Sequence, residues 1–71
     1  MFRIKRIKLI NERKKRQLTR EELGSILGIS AIYVRKIENG DRNPGRRTMV
    51  KFAEFYGVSE RKLFPELFDV R

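Results

Sequence analysis

One short pattern occurs three times in the chain and constrains its fold more than any other feature. In each case an apolar residue precedes Ser or Thr, and a second apolar residue follows four positions after the hydroxyl: Leu18-Thr19 with Leu23, Ile29-Ser30 with Val34, and Val58-Ser59 with Leu63. A hydroxyl at a helix N-cap accepts a hydrogen bond from an unpaired backbone N–H, and the two apolar residues pack as a hydrophobic staple. The pattern therefore predicts helix starts near residues 20, 31 and 60.

Glycines and prolines mark the ends of the predicted helices. Gly28, Gly40 and Gly57 each follow a helical stretch, and glycine readily adopts the left-handed conformation of a C-terminal cap. A further helix is predicted to open after Asn43-Pro44-Gly45, because its apolar residues have helical spacing: Met49, Phe52, Ala53 and Tyr56. Pro65 limits the last capped helix and opens another short helical turn.

An N-terminal helix is predicted over roughly residues 4–17, with three apolar side chains directed to the core: Ile7, Leu9 and Ile10. No segment shows the period-two alternation of a strand. The predicted fold class is therefore all-α, with five short helices in a single domain over residues 1–71.

Composition excludes most catalytic chemistry. The 71 residues contain no Cys and no His, which excludes disulfides, Cys/His zinc sites and nucleophile–His pairs. The acidic residues are scattered along the sequence as helix caps and surface pairs, and are not gathered into a catalytic or metal-binding cluster. We therefore expect no enzymatic activity, no metal and no cofactor.

The charge of the chain indicates a polyanionic partner. Its net charge is +9, and residues 1–36 carry 11 basic and 3 acidic side chains. Such asymmetry is typical of a nucleic-acid-binding face. The run Arg13-Lys14-Lys15-Arg16 has three interpretations: solvated helix surface, a flank that contacts the DNA backbone, or a patch for non-specific DNA binding.

The predicted helices that start near residues 20 and 31 are joined by a short turn with Gly28, which is the arrangement of a helix-turn-helix. Val34 and Ile37 mark the side of the second helix that is predicted to be buried. The opposite side therefore carries Ile32, Arg35, Lys36 and Asn39.

The side chains on this exposed side can read DNA bases, because Lys and Arg donate to guanine O6 and N7 and an apolar side chain can contact the thymine methyl. The N-terminal end of such a helix enters the major groove. The predicted base-reading residues are Ala31, Ile32, Arg35 and Lys36. Ser30 and Tyr33 are predicted to contact the DNA backbone, with core packing as the alternative for Tyr33.

Several segments together resemble the Cro/lambda-repressor-like helix-turn-helix family, also called the XRE family: Thr19-Arg20-Glu21-Glu22-Leu23-Gly24, Leu27-Gly28-Ile29-Ser30, Tyr33-Val34, Ile37-Glu38-Asn39-Gly40 and Asn43-Pro44. The resemblance covers about residues 5–64. It implies a five-helix, lambda-repressor-like domain that binds operator DNA, usually as a homodimer on a palindromic site. It also implies that the second helix positions the domain and the third reads the bases.

By matching positions, the resemblance implies that Arg20 contacts a phosphate where many members have Gln, and that Asn39 and Arg42 lie near the sugar-phosphate backbone. It also implies a structural ion pair between Arg13 and Glu38 that ties the first helix to the third. Gly24 stands where the family usually has Ala, and a helix-interior glycine costs about 0.5–1 kcal/mol relative to alanine.

The C-terminal segment is rich in apolar residues: Leu63, Phe64, Leu67, Phe68 and Val70. Exposed apolar clusters mark interfaces. We therefore predict a homodimer interface formed by Leu63, Phe64, Leu67 and Phe68, with residues 65–71 as an apolar tail.

The leading functional prediction is a sequence-specific double-stranded DNA-binding transcriptional regulator, more often a repressor than an activator. One alternative is the antitoxin of a toxin–antitoxin pair that represses its own operon, with a toxin as protein partner. A second alternative is a basic membrane-surface or RNA-binding module. No apolar run is long enough for a membrane span or a secretory signal, which predicts a cytoplasmic protein. The resemblance implies a bacterial, archaeal or phage origin and association with the nucleoid when DNA is bound.

Overall fold

The computed structural model describes residues 4–68. In this range it has no strand, and its helices are α1 (Ile7–Lys15), α2 (Arg20–Leu27), α3 (Ala31–Glu38), α4 (Arg46–Tyr56), α5 (Glu60–Leu63) and a 3-10 helix (Pro65–Leu67). The prediction of an all-α fold with five short helices is confirmed.

The three predicted caps form the starts of α2, α3 and α5. The hydroxyls of Thr19, Ser30 and Ser59 accept hydrogen bonds from backbone N–H groups three residues later, at 3.0, 3.0 and 3.3 Å. The backbone N–H of Thr19 also donates to Glu22 Oε1 at 2.8 Å, which completes the capping box. Local hydrogen-bonding chemistry therefore determines these helix starts, as the sequence predicts.

Helix α1 is shorter than its predicted span of residues 4–17. Before it, the backbone N–H of Arg6 donates to the carbonyl oxygen of Glu38 at 2.7 Å, so this part of the chain is bound to the end of α3. After it, Gln17 has a left-handed φ of 58°, which a helix cannot contain. Tertiary contacts at one end and a change of backbone conformation at the other therefore limit α1.

The core is one cluster to which every α-helix contributes: Leu9, Leu23, Leu27, Val34, Ile37, Met49, Phe52, Tyr56, Leu63 and Phe64. From α1 only Leu9 is fully buried, whereas Ile10 is half-buried. The prediction of a core position for Ile7 is wrong, because its side chain is 55% exposed. Ile7 lies two residues before Leu9, and that spacing places the two side chains on different sides of a helix.

The structure corrects the predicted dimer interface at two positions. Leu63 is 1% exposed and Phe64 is 0% exposed, so both belong to the core of the single chain and have no surface to offer a partner. The ring of Phe64 packs edge-on against Phe52 with centroids 5.8 Å apart. Because the helices are short, the core needs these last apolar residues to be complete. Leu67 and Phe68 are half-buried against it, and Val70 lies outside the described residues.

Gly24 is placed where α2 crosses the start of α3. A Cβ on Gly24 would lie 2.5 Å from the carbonyl oxygen of Ile29 and 3.3 Å from the backbone nitrogen of Ala31. These neighbours are backbone atoms, which cannot move aside as the end of a side chain can. The glycine therefore permits the close approach of the two helices, and its lower helix propensity is offset by this packing.

We expect Gly24→Ala to destabilise the domain, although alanine favours helices. Overpacking costs about 1–3 kcal/mol and the gain in helix propensity is about 0.5–1 kcal/mol, so the expected net loss is up to about 2.5 kcal/mol. Urea unfolding of the variant would measure it. The matched control is Ser25→Ala in the same helix, where an exposed side chain changes and stability should stay within about 0.5 kcal/mol. A stabilised Gly24→Ala variant would contradict the close contact.

Candidate nucleic-acid interface

The outer face of α3 presents the predicted base-reading residues to solvent. Ile32 is 61% exposed and Arg35 is exposed, whereas Ala31 and Lys36 are half-buried. On the opposite face Val34 is fully buried. The helix therefore combines one core face with one outer face, and the outer face mixes apolar and cationic side chains.

The N-terminal end of α3 is shaped by its cap. The Ser30 hydroxyl accepts a hydrogen bond from the backbone N–H of Tyr33 at 3.0 Å, so its first role is to stabilise the helix start. The Tyr33 side chain is half-buried and packs against the core cluster. Both residues lie at the N-terminal end of α3, and core packing accounts for part of the position of Tyr33.

A concavity of about 380 Å³ joins the start of α2 to the outer face of α3. The residues around it are Arg13, Thr19, Arg20, Glu21, Ala31, Ile32 and Arg35. It brings Arg20, predicted to contact a phosphate, next to three of the four predicted base-reading residues. The fourth, Lys36, lies outside this concavity.

Arg20 has a partner that the sequence reasoning did not predict. Its Nε donates to Glu38 Oε1 at 3.0 Å, and its side chain is 34% exposed. A cation at a helix N-terminus opposes the helix dipole, and a carboxylate close to the guanidinium offsets that repulsion. Nε is the only group of this guanidinium with a hydrogen bond to the described residues, so its terminal N–H groups remain available to a ligand.

The structure contains an ion pair between Arg13 and Glu38. Arg13 Nε donates to Oε2 at 2.8 Å and Nη2 donates to Oε1 at 3.2 Å, while Nη1 donates to the carbonyl oxygen of Leu18 at 2.9 Å. The hydrogen bonds to Glu38 raise the pKa of Arg13 above its ordinary value. Glu38 is fully buried, so one carboxylate at the end of α3 holds α1 through Arg13 and α2 through Arg20.

The segment after α3 stays bound to the end of that helix. Asn39 is the C-cap residue, and its backbone N–H donates to the carbonyl oxygen of Arg35 at 2.9 Å. The backbone N–H of Arg42 donates to the carbonyl oxygen of Lys36 at 3.2 Å, and the Arg42 side chain is exposed. Arg42 is therefore placed just beyond the C-terminal end of the outer face.

Arg6 is a structural residue that the sequence reasoning missed. Its Nη1 donates to the carbonyl oxygens of Ile37 and Arg42 at 2.8 and 3.0 Å, and its Nη2 donates to Asn43 Oδ1 at 2.8 Å. Its Nε donates to Glu66 Oε2 at 2.8 Å. These partners are 31–60 positions away in sequence, so no local pattern could have indicated them. Arg6 fixes the loop between α3 and α4.

The basic run over residues 13–16 at the end of α1 contains side chains that are hydrogen-bonded within the fold and side chains that are exposed to solvent. Arg16 Nη1 donates to Glu12 Oε1 at 2.7 Å, and Nη2 donates to the carbonyl oxygen of Tyr56 at 3.0 Å. The hydrogen bond from Arg16, together with weaker ones from Lys8 and Lys15, lowers the pKa of Glu12 to about 2. Arg13 and Arg16 therefore hold the fold together, whereas Lys14 is exposed.

These features define a helix-turn-helix domain whose third helix presents a mixed apolar and basic face. A family model described as helix-turn-helix, HTH_3, matches residues 9–63. The chain belongs to this Cro/C1-type, or XRE, family of DNA-binding transcriptional regulators. A comparison with curated proteins gave no match.

Among residues 4–68, no helix combines the length and the apolar character that crossing a membrane requires. In the same part of the chain, no cluster of acidic side chains is arranged to hold a metal ion.

Proposed function

We propose that the protein is a sequence-specific repressor that reads the major groove with α3. The observation that carries the proposal is the outer face of α3, where Ile32 and Arg35 border the same concavity as Arg20. Arg35 and Lys36 supply donors for guanine, and Ile32 and Ala31 supply apolar contacts for thymine methyl groups. The proposed unit of function is the single domain over residues 1–71, acting in the cytoplasm on chromosomal or phage DNA.

The proposed contacts divide into base reading and backbone positioning. Arg20 presents its terminal N–H groups beside the reading face while Glu38 holds its Nε, which suits a fixed contact to a phosphate. Ser30, Tyr33, Asn39 and Arg42 lie at the two ends of α3 and complete the proposed backbone contacts. Phosphate contacts carry no base sequence by themselves, so specificity is assigned to the side chains of α3.

We also propose a homodimer on a palindromic operator. Leu67 and Phe68 are the remaining candidates for the interface, because they are half-buried apolar residues at the C-terminal end of the described chain. Two copies would place their reading helices about 34 Å apart, one turn of DNA. Truncation after Phe64 is expected to give monomers in sedimentation, and persistent dimers would place the interface elsewhere.

The DNA-binding test uses an operator that the protein selects from random DNA, together with single-base changes of that operator. It compares the binding of two protein variants to these sites. Lys36→Ala should relax preference at one base position by about 1–3 kcal/mol, whereas Arg20→Ala should weaken all sites about equally. The matched control is Lys62→Ala, which removes the same charge from α5, a helix packed on α1 and α4. Equal behaviour of Lys36→Ala and Arg20→Ala would contradict the division into reader and positioner.

Salt dependence gives a second readout of the same proposal. The logarithm of the binding constant should fall with the logarithm of salt concentration, with a slope of about −0.9 per neutralised phosphate. Arg20→Ala should reduce the slope by about one, and Lys62→Ala should leave it unchanged. A flat salt titration of the unmodified protein would contradict the proposed backbone contacts.

The antitoxin alternative uses the same DNA-binding surface and differs only in its requirement for a toxin partner.

A further inference from the structure

A second concavity, of about 400 Å³, lies between the start of α1 and the segment formed by α5 and the 3-10 helix. Its apolar wall includes the accessible side chains of Ile4, Ile7 and Pro65, and the buried Leu63 lies beneath them. None of the residues around it borders the concavity beside α3. We call it the α1–α5 groove.

Two large apolar side chains of this groove are exposed. Ile4 is 79% exposed and Ile7 is 55% exposed. Burying large aliphatic side chains is a main source of binding free energy, so two of them on one groove form a site for an apolar partner group. Within the folded chain, the core is already complete without them.

The edge of the groove is basic. Lys5, Lys8 and Lys62 all border it, and the single carboxylate there, Glu66, is paired with Arg6. Lys8 Nζ lies 3.3 Å from Glu12 Oε2, which neutralises part of its charge. Lys5 and Lys62 have no ion pair with the described residues, so two uncompensated cations flank the exposed isoleucines.

The exposed isoleucines and the basic edge of the α1–α5 groove favour one kind of binding partner over the others. A second copy of the chain at this face would bring the same lysines together, and like charges at an interface oppose association. Duplex DNA would satisfy the lysines but would leave Ile4 and Ile7 against phosphates. An acidic protein segment with a large apolar side chain satisfies both the charge and the apolar surface. We propose that the α1–α5 groove binds a segment of another protein in which Asp or Glu residues flank a large apolar side chain.

The test is a selection from a random dodecapeptide library, with the full chain as bait. The affinities of the enriched peptides would then be measured by fluorescence anisotropy. The peptides should combine Asp or Glu with a large apolar residue, and salt should weaken their binding. Ile7→Ser and Lys62→Glu should each lower the affinity by at least about tenfold, as expected for interface hot spots.

The matched control is Ile26→Ser, because Ile26 is 51% exposed on α2, outside the groove. It should leave peptide affinity unchanged, and thermal melting would confirm that each variant is folded. The absence of enriched peptides, enrichment without acidic residues, or full binding to Ile7→Ser would overturn the proposal.

Three other occupants would also overturn it, and each has its own signature. If Ile7→Ser converts a dimer to a monomer in sedimentation, a second copy occupies the groove. If peptides bind only a chain that lacks residues 69–71, the chain's own C-terminal segment occupies it. If Ile7→Ser weakens operator binding as strongly as Lys36→Ala does, the groove belongs to the DNA-binding surface. Operator binding unaffected by Ile7→Ser separates this proposal from the proposed function.

Discussion

Glu38→Ala is expected to destabilise the domain by about 3–5 kcal/mol, because it removes one partner of a buried ion pair. Arg13 would remain buried without its carboxylate, and Arg20 would lose the group that offsets its charge at the start of α2. The same substitution therefore loosens the contacts of α3 with both α1 and α2. Urea or thermal unfolding of the variant would measure the loss.

The matched control is Arg46→Ala. Arg46 Nε lies 3.6 Å from Glu60 Oε1 and its side chain is 79% exposed, and such surface pairs contribute about 0–1 kcal/mol. Glu38→Gln adds a second comparison, because it keeps hydrogen-bonding capacity and removes the charge. If Glu38→Ala and Arg46→Ala lowered the melting temperature equally, the assignment of Glu38 as the centre of the three-helix contact would be wrong.

Phe64→Ala is expected to cost about 3–5 kcal/mol, which is typical of truncating a buried aromatic side chain. The ring fills the core beside Phe52, and the Arg6 guanidinium carbon lies 5.4 Å from its centroid. Removing it leaves a cavity and removes one contact of the arginine that holds the loop after α3. Chemical denaturation at several protein concentrations would measure the effect.

The concentration series separates a core residue from an interface residue. If Phe64 stabilised the protein through a dimer contact, its contribution would depend on protein concentration, because association stabilises by mass action. A core role predicts the same loss at every concentration. The control is Phe68→Ala, because Phe68 is half-buried and should cost clearly less. Equal losses for the two phenylalanines would contradict the core assignment of Phe64.

Much of the architecture could be predicted because its determinants are local. Thr19, Ser30 and Ser59 lie three residues from the N–H groups that they cap, so their spacing is visible in the sequence. Gly28 and Gly57 adopt left-handed φ values of 75° and 69°, as expected at helix C-termini. The side of α3 that faces the core follows from helical periodicity, and so does the opposite side that carries the candidate reading residues.

Other features could not be predicted because they depend on distant parts of the chain. The burial of Phe64 depends on how much of the core the other helices leave unfilled. The role of Arg6 depends on carbonyl groups that meet it only after α3 and the following loop have packed. The second arginine on Glu38 arises because the start of α2 is brought to the end of α3. In each case the groups that decide the side chain's environment meet it only when the helices pack together.

The amino-acid sequence by itself determined where α2, α3, α4 and α5 begin, where glycines end α2 and α4, which side of α3 is apolar, and that the chain carries a large excess of positive charge. Capping, periodicity and charge depend on neighbours within one or two turns, so they are readable before folding. Only the tertiary structure decided which cations are paired, which apolar residues complete the core, and which remain exposed at the α1–α5 groove. Those outcomes depend on the distances between helices, and these distances are set when the whole core packs together.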